Sequence, residues 1–183
     1  MKKILITIIS LLAFSIHIAN AQQSTFAKGY QTLNVGLGIG GTIYSDGYKM
    51  LVPPISAAYE YCVASGFINN NASIGVGGYT AFAASRYKFN GNHVDRSHFI
   101  LGARGTFHYE FVPLLDTYAG LMLGYDIDNT SGRIDGRKDT DDNTGFAYSG
   151  FIGVRYYFSP TVAGYAELGY GITYASIGAT FRF

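Results

Sequence analysis

Six charged residues carry most of the chemistry this sequence offers. Glu60, Arg104, Glu110, Arg155, Glu167 and Arg182 each stand where an alternating segment turns them away from its apolar side. Carboxylates and guanidiniums gathered in that way form charge-assisted pairs, which either hold a structure closed or select ions in a narrow passage. Folding the surrounding segments about Ser159-Pro160 and Ile172-Thr173 predicts an Arg155-Glu167-Arg182 cluster through diagonal pairing. His108 and Glu110 have the types of an acid-base couple, although two such residues on one face near a rim more often stabilise each other. Between Asp126 and Thr144, the aspartates Asp126, Asp128, Asp135, Asp139, Asp141 and Asp142 mix with Arg133, Arg137 and Lys138. Asp139, Asp141 and Asn143 imitate a calcium loop, but the glycine is displaced to Gly145 and the twelfth position is Gly150 where a bidentate Glu is required. A solvated loop is the expectation there. The run Gly36-Leu37-Gly38-Ile39-Gly40-Gly41 continues a strand and opens no helix, so it holds no phosphate. No catalytic group, cofactor or metal site is expected.

The elements that must position these charges repeat with period two. Eight such segments are predicted, near Tyr30–Tyr44, Pro54–Val63, Ala72–Ser85, Ser97–Phe111, Leu115–Ile127, Phe146–Phe158, Val162–Gly171 and Ala175–Phe183. The fourth is clearest: Phe99, Leu101, Ala103, Phe107, Tyr109 and Phe111 oppose His98, Gly102, Arg104, Thr106, His108 and Glu110. The last sets Ile177, Ala179, Phe181 and Phe183 against Ser176, Gly178, Thr180 and Arg182. Turns are expected at Ser45-Asp46-Gly47, Pro113 and Ser159-Pro160. Three links, at Ala64–Asn71, Val112–Leu114 and Ser159–Thr161, fall at one end, and longer loops, Arg86–Arg96 and Asp128–Thr144, at the other. Tyr59, Tyr61, Tyr109, Phe111, Tyr156, Phe158, Phe181 and Phe183 gather at the short-turn end, the level of an interfacial girdle. Strands with one face for lipid and one for an interior make an all-β fold, an eight-stranded antiparallel up-and-down transmembrane β-barrel.

The amino terminus reads as an export signal, residues 1–21: Lys2 and Lys3, an apolar run from Ile4 to Phe14, and Ala19-Asn20-Ala21 before the cut. The barrel domain is then residues 22–183. That cut removes two of the 13 basic residues and none of the 12 acidic ones, leaving a net charge of −1 and no signature of a nucleic-acid partner. Abundant Tyr and Phe, 24 glycines, four prolines and no Trp favour strands over helices. The single Cys62 has no internal disulfide partner.

With the terminal aromatic strand and the signal together, the mature chain resembles the small eight-stranded outer-membrane barrels of the OmpA and OmpX type. The resemblance implies a porin-like protein in a Gram-negative outer membrane, contacting outer-membrane lipid and lipopolysaccharide, with Phe181 and Phe183 as the signal read by the barrel-insertion machinery. No peptidoglycan-binding domain follows Phe183, so cell-wall anchoring is not implied. Enzymatic barrels match poorly: the His-x-Ser pair of lipid A deacylases is absent, since His93, His98 and His108 are followed two places on by Asp95, Ile100 and Glu110. An eight-stranded barrel has an interior only just wide enough for its side chains. The expectation is a non-enzymatic barrel with a plugged interior, serving envelope integrity or surface interaction through its loops with an unidentified ligand. The alternative is a narrow ion or small-solute channel lined by the interior charges.

Overall fold

The computed structural model describes residues 24–41, 48–89, 92–134 and 137–183. Eight antiparallel strands, β1 (Gln31–Ile39), β2 (Lys49–Phe67), β3 (Ala72–Phe89), β4 (Asn92–Val112), β5 (Leu115–Ile134), β6 (Arg137–Tyr157), β7 (Val162–Tyr170) and β8 (Ala175–Arg182), pair in chain order. The ring closes where β1 meets β8, from Thr32 opposite Arg182 to Ile39 opposite Ala175. Closure pairs both edges of every strand through the body of the barrel, which a sheet in hydrocarbon requires. Among the described residues no helix is long and apolar enough to cross a membrane.

Hydrophobicity is inside out. Leu121 is 67% exposed and Leu101, Leu123 and Ile152 are similarly bare, while their inward neighbours are covered. Such a surface is stable only against lipid. At the end holding both chain segments that enter and leave the barrel, here the lower end, Tyr109 packs on Phe111 and Tyr156 on Phe158, with ring centroids 4.6 and 5.4 Å apart. The lower links are tight. Asn69 and Asn70 take left-handed conformations between β2 and β3, and Leu114 does so between β4 and β5.

At the upper end the expected loops are strands. Most of the Asp-rich segment is the top of the β5–β6 hairpin, paired from Asp128 opposite Asn143 to Ile134 opposite Arg137, with Asp135 outside the described residues, and Arg86–Phe89 and Asn92–Arg96 are likewise ladder, with Arg86 opposite Asp95. Hydrophobic alternation marks a strand only where one face meets an apolar medium, and from Asp128 to Arg133 and from Lys138 to Thr144 this hairpin carries no apolar side chain on either face. β3 to β6 therefore rise roughly 15 to 20 Å beyond the last apolar tier, as seven more residues per strand allow. β1 ends at Ile39, short of the predicted Tyr44, and the Ser45-Asp46-Gly47 turn lies outside the described residues.

Arg86 and Asp95 meet on the outward face, Nε to Oδ1 at 2.5 Å, and that hydrogen bond holds the Asp95 carboxyl below its ordinary range. A lowered carboxylate stabilises above its ordinary range and loses that contribution as pH falls through the lowered value. Acidification is expected to loosen this hairpin top first, read as faster amide exchange at residues 86–89 and 92–95, and added salt to weaken the exposed pair.

Candidate functional site: the barrel interior

Inward residues stack in tiers. In the lower half, Glu60 on β2, Arg104 on β4, Asp116 on β5 and Arg155 on β6 are buried, and Glu167 on β7 nearly so. Arg155 is 0% exposed and binds two carboxylates, Glu60 through one terminal nitrogen and Asp116 through the other at 3.2 Å. Arg104 reaches Glu167 at 2.9 Å and Glu60 at 3.4 Å. Tyr118 donates to the same Glu167 oxygen at 2.8 Å and lies beneath the Arg155 guanidinium, 4.5 Å from ring centroid. Asp116 also meets His108 Nδ1 at 2.9 Å, and His108 Nε2 meets Thr106 at 2.8 Å. Each buried charge thus has at least one opposite partner, the condition for keeping it out of water.

Above this network an apolar tier crosses the lumen: Ala81, Ile100, Met122, Ala147 and Ile172, with Tyr79 and Phe151 against them. Arg104 stacks on Phe151 at 4.1 Å, joining the two tiers. Higher still, His98 pairs with Asp126 at 2.8 Å, and Arg96 forms an ion pair with Asp128. Inward glycines make room for the rings: Tyr118 fills the space beside its cross-strand partner Gly153, Phe151 that beside Gly120, and Tyr165 that beside Gly178.

The lower mouth is covered by residues ahead of β1. Phe26 is 1% exposed, its ring 4.3 Å from that of His108. Glu110 accepts hydrogen bonds from the Thr25 amide at 2.8 Å and hydroxyl at 3.2 Å, while Arg182 donates to the Thr25 carbonyl at 2.8 Å.

No protein-family model matches the sequence. No curated protein matches it either. Solved structures do. Ail, the attachment invasion locus protein of Yersinia pestis, superposes with a TM-score of 0.53 at 16% identity, covering 85% of this chain and 99% of Ail. Its complex with the heparin analogue sucrose octasulfate gives 0.54 at 17% identity, with the same coverage. A de novo designed transmembrane β-barrel gives 0.50 at 16%, covering 89% of this chain and 100% of the design. This chain has the fold of the small eight-stranded outer-membrane barrels of the OmpA/OmpX type. Likeness at this identity, a designed barrel included, is carried by strand number, register and alternation.

Within this eight-stranded barrel the interior charges partner differently from the sequence expectation. The Arg155-Glu167-Arg182 cluster does not form. Glu167 stands opposite Ser176, so Arg182 lies six residues further along β8, roughly 20 Å away at strand rise. Hairpin geometry considers only adjacent strands, whereas the narrow lumen lets β2 reach β6 and β4 reach β7, giving Glu60–Arg155 and Arg104–Glu167. His108 and Glu110 do not couple: His108 turns to Asp116 and Glu110 to Thr25. Arg182 stacks between Tyr30 and Tyr157, at 4.8 and 4.9 Å. Phe181 and Phe183 point outward at the lower rim, and the backbone of Phe183 pairs with Gln31. Asp116 escaped the sequence reading, though it is one step before Tyr118 in the same inward series. Phe26 had no periodic signal to reveal it.

Proposed function

We propose that the chain is an integral protein of a Gram-negative outer membrane, exported by a signal cleaved after Ala21, whose closed interior is a structural core. Its lower end faces the periplasm and its upper hairpins face outward. The role is non-enzymatic: the body anchors the β3–β6 wall at the cell surface, for envelope integrity or contact with an external ligand. One observation carries this reading, the tier of buried side chains at Ile100, Met122 and Ile172, with Phe151 packed against it, above a charge network in which each buried charge has an opposite partner. Membrane lipid, lipopolysaccharide around the hairpins, and the insertion machinery at Phe181 and Phe183 are the partners proposed. Ail, with the same fold, carries attachment and invasion in its name and binds a heparin analogue in one structure, which supports surface recognition as the direction to test.

Refolded protein in a planar bilayer is expected to give no discrete conductance once a heat-shift gel shows a closed barrel. Reproducible steps that change when Arg104 or Glu167 is neutralised would instead establish a channel and refute the structural-core reading. For the outer role, shortening the β5–β6 hairpin is expected to abolish binding to host-cell or glycan surfaces while leaving the barrel folded.

A further inference from the structure

The chain ahead of β1 makes contacts that no strand ladder requires. Between Ser24 and Tyr30 it crosses the lower mouth and touches strands around the ring: Cys62 and Ser65 on β2, His108 and Glu110 on β4, and Arg182 on β8. Gly29 donates to the Cys62 carbonyl at 3.0 Å, and Lys28 donates its amide to Ser65 at 2.9 Å. The Phe26 ring reaches up into the interior until it meets His108, and it occupies a notch left by Gly75, where a side chain would come within 3.1 Å of it. Glu110 and Arg182, the two rim charges outside the interior network, both grip Thr25.

We propose that this segment is a detachable plug: it seats in the finished barrel as the periplasmic door to the charge network, and the interior is open to water from that side only while it is unseated. Three properties support a door over a wall. The ring of strands closes without it, because β1 already pairs with β8 from Thr32 to Ile39. Its hold is one aromatic anchor, one carboxylate and one guanidinium on Thr25, the Ser65 hydroxyl on Lys28, the Cys62 thiol on Phe26, and a few backbone bonds, all within seven residues, so it belongs to the low-stability end of local opening. What it covers is polar, with Glu60, Asp116 and Arg155 directly behind His108.

The chain supplies its own probe. Cys62, the single cysteine, is fully buried on the inward face, with Sγ 3.7 Å from the Phe26 carbonyl oxygen. The experiment follows labelling of Cys62 by a water-soluble maleimide in the folded full-length mature protein in detergent, with a heat-shift gel confirming the barrel for every sample. Wild type is expected to label slowly, and Phe26→Ala about tenfold or more faster, because local opening then costs less. Glu110→Gln, at the rim where folding is least at risk, is expected to accelerate labelling in the same direction by a smaller factor. Met122→Ala, in the tier above, is expected to leave the rate unchanged. The proposal is overturned if folded wild type labels as fast as unfolded protein. It is equally overturned if folded Phe26→Ala and Glu110→Gln stay as protected as wild type, or if Met122→Ala accelerates labelling as much as they do.

Discussion

Replacing Arg155 with methionine is expected to destabilise the barrel by about 3–5 kcal/mol, the cost of stranding buried charge when its partner is removed. Methionine keeps most of the volume and none of the charge. Glu60 then retains only the 3.4 Å approach of Arg104 and the 4.0 Å approach of His108, and Asp116 only His108. The tyrosine beneath the guanidinium also loses its cation. Arg155→Met/Glu60→Gln together is expected to recover part of the loss, because two partners replaced by neutral groups leave less unpaired charge than one. The chain has no Trp, so unfolding in lipid vesicles is best followed by gel mobility and circular dichroism across a urea series. A wild-type midpoint for Arg155→Met would show that the interior network does not hold the barrel together.

Second in size is Gly153→Val, expected to cost about 3 kcal/mol by overpacking. The ring and hydroxyl of Tyr118 occupy the space a side chain at 153 needs, with the nearest ring atom 2.5 Å and the hydroxyl 2.7 Å from an ideal Cβ. The ring cannot retreat cheaply, since it donates to Glu167 and lies under Arg155. Steric pressure at one glycine therefore reaches two ion pairs. In the same unfolding assay, Gly153→Val/Tyr118→Ala is expected to be little worse than Tyr118→Ala alone, the signature of residues that share one space. Full additivity would mean that the glycine serves the backbone and not the ring.

The body of the barrel was legible because lipid makes the outward face of each strand uniformly apolar, so alternation reports both the strand and its orientation. Leu101 against Gly102 and Arg104 is such a case. The same physics hid the hairpin tops: Asn129 and Asp142 face water on one side and more polar chain on the other, and nothing alternates. Which residues point inward was readable, but which inward residues meet was not. Pairing across a closed lumen depends on shear and diameter, and a list of adjacent strands contains neither, so Arg104 rather than Arg182 was the partner of Glu167. The plug was invisible for a third reason. Phe26 is one aromatic residue in a polar leader, and its burial follows from the shape of a mouth built by strands far away in sequence.

The unequal heights of the strands have a consequence for life in a crowded membrane. β7 ends at Tyr170, opposite Gly150, so among the described residues the top of β6, from Arg137 to Thr144, pairs with β5 alone and presents an open hydrogen-bonding edge above the apolar belt. An edge of that length invites sideways association with any passing strand. Here it carries Asp141 and Asp142 within four residues of Lys138, and fixed charges are a common means by which sheets discourage such zipping. The protein consequently has a distinct flank as well as a top and a bottom. Molecules packed side by side would meet one another at a guarded seam on one side and at low, lipid-covered strands on the other.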